Sequence, residues 1–133
     1  DFANRLLDGS FVDGGIVGFY HNNIFEAVYG TNLLMRGADI LVTKPSELSF
    51  YPIPKLFIHR VGGHEKWGAI HSAEIGDGTI ELEKLEECIQ MLQLLNEDRG
   101  MIQDMCKNIV RNKKMGIYDG AYQVIELAMQ QQK

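Results

Sequence analysis

The stretch from Ala38 to Ala69, ADILVTKPSELSFYPIPKLFIHRVGGHEKWGA, decides the fold of this chain. An apolar run over residues 39–43 passes directly into Lys44-Pro45, and a second run over residues 55–60 ends in a Gly-Gly-His-Glu turn. The first run is apolar throughout instead of alternating, which is typical of a parallel strand covered on both faces. We therefore predict two strands here, each followed by a helical segment.

The segments around these strands have helical signals. Pro45 and Ser46 open a short helical turn with Ser46 as the expected N-cap, and residues 64–74 are the expected helix after the second strand. Upstream, Asn23 is the predicted N-cap of a helix that ends at Gly37, with Glu26 as its capping-box partner. We also expect a short helix over Phe2–Leu7 and a buried strand over residues 15–20.

The part of the chain after Ile75 is predicted to be helical. Residues 76–78 are expected to form a loop, and Thr79 to act as the next N-cap. Three apolar stripes at helical spacing follow, beginning at Leu82, Met101 and Ala121. Strands that alternate with helices across short links predict an α/β fold, namely a Rossmann-like parallel sheet flanked by helices and ending in three helices.

Length and composition set the broad class. The 133 residues are expected to form a single domain over 1–133, and a start at Asp1 without Met predicts a C-terminal piece of a longer protein. The net charge of −5 and the lack of a basic run argue against nucleic acid as a partner. The first half is rich in glycine and mildly basic between Arg36 and Lys66, which suits a small anionic ligand.

Two cysteines and the hydropathy indicate the compartment. Cys88 and Cys106 both fall at apolar-facing helical positions, which favours buried free thiols in a reducing compartment over a disulfide. No apolar run approaches the roughly 18 residues of a membrane span, and no signal peptide is visible. These features predict a cytoplasmic protein.

The residues that could bind a ligand follow the two predicted strands. Ligands of an open parallel sheet bind beyond the carboxyl ends of its strands, and a helix start there favours a phosphate. Glu47 offers two acceptor oxygens, which match a ribose diol. The candidate ligand-binding residues are Thr43, Lys44, Ser46, Glu47, Gly62, Gly63, His64 and Glu65.

Each candidate also has a simpler interpretation. Glu47 in a first helical turn is stabilised by the helix dipole without any ligand. Gly62-Gly63 can be an ordinary turn, and Lys44 an ordinary solvated side chain. The histidines do not predict a metal site, since His64-Glu65 lacks a second histidine at the spacing of a zinc motif and Gly68 stands there instead. We predict no metal and no cofactor.

With these residues identified, the chain resembles the C-terminal, donor-binding half of GT-B glycosyltransferases. The group it resembles contains the peptidoglycan-precursor N-acetylglucosaminyltransferase and the diacylglycerol glycosyltransferases, including monogalactosyldiacylglycerol synthase-like enzymes. The similarity covers roughly residues 33–128 and is most specific at Ala38–Pro45, which matches the family pattern A-D-x-L-(I/V)-T-K-P. The step from Glu47 to Pro54, the Gly-His-Glu segment and the ending Gly116–Ala121 also match.

The resemblance implies a UDP-sugar donor site. Glu47 would match the acid that binds the ribose, and His64 and Glu65 the pair near the sugar and diphosphate. The chain departs from the pattern twice: no Gly-Gly-x-Thr loop separates Pro45 from Ser46, and Gly68 replaces an Asn. The acceptor-binding N-terminal domain and its proposed catalytic base are absent, so the resemblance implies no catalytic residue in this chain and no turnover by it alone.

Three functions follow as hypotheses. The first is the UDP-sugar-binding part of a hexosyltransferase, which acts on a lipid or glycan acceptor and associates peripherally with a membrane in the full-length protein. The second is a non-catalytic GT-B relative that serves as a scaffold or partner-binding domain, with its cleft closed by Phe50, Tyr51 and Trp67. The third is a sugar-nucleotide epimerase, for which Glu65 and Glu74 would have to face the sugar.

Overall fold

The computed structural model describes Gly15 and residues 18–131. The chain divides into two compact units, Asp1–Ala38 and Asp39–Lys133. The predicted helix over Phe2–Leu7 lies outside the described residues, as do positions 16 and 17 of the predicted first strand. No described helix has both the length and the apolar character needed to cross a membrane.

The first unit contains helix α1, Ile24–Met35. Asn23 caps it as predicted, because its Oδ1 accepts a hydrogen bond from the N–H of Phe25 at 2.9 Å. The capping box with Glu26 is wrong, since the N–H of Asn23 donates instead to Nδ1 of His21 at 3.0 Å. The strand expected before this helix is also wrong where it is described, because residues 18–20 are irregular and Tyr20 is exposed.

The second unit is an α/β fold built on a three-stranded parallel sheet, which confirms the predicted fold class. The strands are β1, Leu41–Thr43, β2, Lys55–Ile58, and β3, Gly78–Leu82, and they lie in that order across the sheet. β1 is an edge strand with Val42 45% exposed, so the expectation that it is covered on both faces is wrong.

Helices cover this sheet and end the chain. A 3₁₀ turn, Glu47–Phe50, links β1 to β2. A second 3₁₀ turn, Gly63–Glu65, leads into α2, Lys66–Ile75. The three predicted C-terminal helices are α3, Leu85–Glu97, α4, Arg99–Lys114, and α5, Gly120–Gln130.

The two faces of β2 pack against different helices because successive side chains of a strand point in opposite directions. Leu56 lies in a buried cluster with Cys88, Leu95 and Met105 from α3 and α4. Phe57 points the other way, toward Gly78 of β3 and Ser72 of α2. Cys88 and Cys106 are free, and the prediction of burial holds for Cys88 but is wrong for the exposed Cys106.

Strand β3 replaces the predicted loop and helix start. Its pairing with β2 contains a bulge, because Lys55 lies opposite Gly78 whereas Phe57 lies opposite Glu81. The N–H of Phe57 donates to Oγ1 of Thr79 at 3.1 Å, so the hydroxyl fills a gap in the ladder. Thr79 is therefore a strand residue, and its predicted role as an N-cap is wrong.

A buried ion pair joins the amino ends of β2 and β3. Nζ of Lys55 lies 2.8 Å from Oδ2 of Asp77, and both side chains are 0% exposed. The ammonium group also donates to the carbonyl oxygens of Tyr51 and Ile53, at 2.9 and 3.0 Å. Burial lowers the pKa of Lys55, while its bond to Asp77 acts in the opposite direction.

Asp77 and its neighbours also hold the C-terminal part of the chain. The hydroxyl groups of Ser72 and Tyr118 both donate to the Asp77 carboxylate, the latter at 2.7 Å. Burial and the bond to Asp77 together raise the pKa of Tyr118. From α4, Asn108 and Asn112 donate to the carbonyls of Gly76 and Ile75. The short turn at residues 75–77 is thus bonded to α2, to α4 and to the segment that contains Tyr118.

Replacement of either partner of the buried pair should destabilise the fold strongly. We expect Lys55→Met or Asp77→Asn to lower the free energy of unfolding by about 3–5 kcal/mol, because one charge is then left buried without its counterion. In the double variant, the free energy of unfolding should fall by less than the sum of the decreases in the two single variants. Urea unfolding followed by circular dichroism measures this.

Lys107→Met is the matched control, since Lys107 forms an exposed ion pair with Asp104. The free energy of unfolding of this variant should be lower than that of the wild type by at most about 1 kcal/mol. Single variants at Lys55 or Asp77 that unfold like this control would contradict the role given to the buried pair.

Candidate functional site

An open cleft of about 420 Å³ lies at the carboxyl end of β1 and β2. Its position agrees with the rule that ligands of a parallel sheet bind beyond the carboxyl ends of the strands. Four of the eight predicted site residues line it, namely Ser46, Glu47, His64 and Glu65. Its other lining residues are Pro45, Phe50, Trp67, Gly68 and His71.

Aromatic rings form much of the cleft wall. Trp67 and His71 are one helical turn apart on α2 and so face the same side. The ring of His71 lies 5.8 Å from that of Phe50, and Nζ of Lys66 lies 4.8 Å from the Trp67 ring centroid. Phe50 and Trp67 are 60% and 63% exposed, so they flank the cleft without closing it.

Glu47 is the carboxylate of the cleft that remains exposed. It begins the 3₁₀ turn that follows β1, which places it beside Ser46 at the cleft mouth. Ser46 occupies the N-cap position as predicted, but its side chain makes no capping hydrogen bond. Both side chains are thus available to a ligand.

Glu65, in contrast, is bound by the protein itself. Oε2 accepts hydrogen bonds from the N–H groups of Val61 and Gly62 at 2.8 and 2.9 Å, and Oε1 pairs with Nζ of Lys44. The Gly62 bond, the Lys44 bond and the Val61 bond lower the pKa of Glu65 to about 2. The bond to Glu65 raises the pKa of Lys44, with a smaller contribution from Glu47.

The other four predicted residues do not line the cleft. Thr43 ends β1, and Thr43, Lys44, Gly62 and Gly63 are not among the lining residues. Gly62 fits because the His64 ring lies over it: a Cβ there would be 2.8 Å from Cε1 of His64. The N–H groups of Gly63 and His64 precede the first internal bond of the turn, Glu65 N–H to Gly62 O at 3.1 Å, and so remain at a helix start.

The two positions at which the chain departs from the glycosyltransferase pattern, the Pro45-Ser46 link and Gly68, are in contact in the structure. A Cβ at Gly68 would lie 2.8 Å from the carbonyl oxygen of Pro45 and 2.6 Å from Oγ of Ser49. The turn after β1 thus packs directly on α2, and any side chain at position 68 would force them apart. The direct Pro45-Ser46 link and the glycine therefore form a single packing arrangement.

A smaller cavity of about 250 Å³ adjoins the cleft. It shares Phe50 and His71 with the cleft and extends to the segment between Ile117 and Ala121. Phe50 was expected at the cleft only as a side chain that closes it, and His71 was not predicted there. The spacing of Trp67 and His71 on one helix was the available signal, and contact with Phe50 depends on the packing at Gly68.

Comparison with known proteins assigns the family. Residues 1–129 match the model of a family described as Domain of unknown function (DUF6938). The chain belongs to the DUF6938 family. Neither the curated proteins nor the solved structures contain a match to the chain.

The low pKa of Glu65 predicts a specific acid sensitivity. Ionised Glu65 stabilises the folded state above its ordinary pKa of 4.5, and this contribution is lost as the pH falls through about 2. We expect Glu65→Gln to destabilise the protein at about pH 6 and progressively less at lower pH. Urea unfolding of both proteins across this range measures the difference. A difference that stays constant with pH would contradict the assignment.

Proposed function

We propose that the cleft is the nucleotide-sugar donor site of a DUF6938 protein, and that it binds a UDP-sugar. The observation that carries this proposal is the position of Glu47. It is an exposed carboxylate at the carboxyl end of a parallel sheet, in a cleft of about 420 Å³ with aromatic walls. Mostly apolar walls with few polar groups are usual for small-molecule sites.

Each part of a UDP-sugar has a candidate contact in this cleft. The planar base would stack on the exposed ring of Trp67 or Phe50. Glu47 would accept hydrogen bonds from both ribose hydroxyls. The diphosphate would lie at the start of the helical segment, near the N–H groups of Gly63 and His64.

The reaction would be transfer of a hexosyl group in the full-length protein. Displacement at the anomeric carbon breaks its bond to the diphosphate, and a helix start stabilises the charge that develops on the departing group. The acceptor, a lipid or glycan, would bind a separate N-terminal domain that also supplies the base. We assign this activity to the cytoplasm, with peripheral membrane association.

A non-catalytic relative is the second candidate, and the Lys44–Glu65 pair favours it. A donor site would use these two side chains on the ligand, whereas here they bind each other and the loop at Val61 and Gly62. The open cleft argues against the form of this hypothesis in which aromatic side chains fill it. The epimerase hypothesis has less support, because Glu65 is engaged and Glu74 does not line the cleft.

Calorimetric titration of the full chain with UDP, UDP-glucose and UDP-N-acetylglucosamine tests the proposal. We expect binding that Glu47→Ala weakens by about 10- to 100-fold, the equivalent of a hydrogen bond to a charged group. With 2′-deoxy-UDP the wild-type affinity should fall, and the further effect of Glu47→Ala should be smaller than with UDP, because only the bond to the 3′-hydroxyl is left to lose. This pattern would assign Glu47 to the ribose.

Glu86→Ala is the control, because Glu86 is an exposed carboxylate on α3 that does not line the cleft. It should bind UDP like the wild type. Absence of binding to UDP and to both sugars would refute the proposal and leave the non-catalytic relative. Binding that is equal in wild type and Glu47→Ala would remove Glu47 from the site.

A further inference from the structure

We propose that His59, Glu81 and Glu83 form a binding site for a divalent transition-metal ion. One possible ligand atom of each side chain lies within 4.8 Å of the other two. The cluster is separate from the cleft, since none of the three residues lines it. This proposal is independent of the nucleotide-sugar hypothesis.

The bulge in the sheet brings these three residues together. β2 and β3 are parallel, and Phe57 lies opposite Glu81. Continuing this register by two residues places His59 beside Glu83, on the same face as Phe57 and Glu81. Without the extra residue at the bulge, Ile80 and Leu82 would occupy that face, so the irregular pairing creates the cluster.

The geometry is close to that of a three-ligand site. Nδ1 of His59 lies 3.4 Å from Oε1 of Glu81. Ligands bound to one zinc ion at about 2.0–2.2 Å lie roughly 3–4 Å from one another. His59 and Glu83 are exposed and can adjust their rotamers, whereas the Glu81 side chain is 9% exposed and fixed.

Arg60 holds the Glu81 carboxylate in place. Its backbone N–H donates to Oε1 at 2.9 Å, and its guanidinium pairs with Oε2. Hydrogen bonds of this kind orient ligating carboxylates in metal sites. The guanidinium offsets one of the two carboxylate charges, so the site has a net charge of −1 with a neutral imidazole, and a divalent ion remains attracted.

The ligand set selects the class of ion. An imidazole nitrogen with two carboxylate oxygens suits zinc and manganese, and it lacks the thiolates that softer ions require. Zn²⁺ should bind more tightly than Mn²⁺, following the general order of divalent affinities. Three protein ligands leave at least one coordination position for water.

Calorimetric titration of the chelator-treated full chain with ZnCl₂ and MnCl₂ tests the site. We expect one Zn²⁺ per chain. Loss of an orienting group alone weakens metal sites by about 10- to 100-fold, so His59→Ala and Glu83→Gln should each weaken Zn²⁺ binding by about 100-fold or more. Both side chains are exposed, and circular dichroism should show that the variants fold.

His64→Ala and His71→Ala are the matched controls, because these histidines line the cleft instead. They should bind Zn²⁺ like the wild type, and the imidazole NMR signals of His59 should shift on addition of the ion. The proposal is overturned if the wild type binds no Zn²⁺. It is equally overturned if the cleft variants lose binding while His59→Ala retains it.

Discussion

The buried pair between Lys55 and Asp77 is the constraint on which the rest of the second unit depends. Two charges that are fully removed from water persist only when every polar atom around them is matched. Here the ammonium also binds two carbonyls, and the carboxylate also binds two hydroxyls. Since a pair of apolar residues can be as stable as a buried ion pair, we infer that the main effect of this pair is to fix the position of the segments it joins. It sets where β2 and β3 begin and where Tyr118 docks.

Because of this pair, the amino end of the sheet is tightly bonded, whereas the carboxyl end is open. At the amino end, the turn before β3 is held by α2, by α4 through Asn108 and Asn112, and by Tyr118. Few buried polar groups remain there for a ligand. At the carboxyl end the strands lead into short turns and an exposed aromatic wall, which leaves the cleft open at that edge. The cleft and the His59 cluster both lie there.

The sequence predicted those parts of this arrangement that depend on local patterns. The cap at Asn23, the strands after Ile40 and Pro54, the three terminal helices and four of the nine cleft-lining residues follow from spacing and turn residues. β3 did not, because Gly76-Asp77-Gly78 is typical of a loop and Leu82 continues a helical stripe. With β3 missed, Glu81 and Glu83 could not be placed beside His59, so the proposed metal site was not predicted. The burial of Lys55 depends on the partner at Asp77, which no local pattern indicates.

The loop between the cleft and the His59 cluster shows what a ligand would have to change. Three consecutive N–H groups, those of Arg60, Val61 and Gly62, already donate to the carboxylates of Glu81 and Glu65. Such a run of backbone donors is what an anion site uses, and here the protein's own carboxylates occupy it. A diphosphate would therefore use the next groups, at Gly63 and His64, or displace Glu65 from the N–H groups of Val61 and Gly62. Because Glu65 has a pKa of about 2, it stays ionised near neutral pH, and its displacement would leave a charged carboxylate to be solvated. Binding that leaves Glu65 in place avoids this cost, and under the proposed function the nucleoside would then lie in the aromatic part of the cleft beside Glu47.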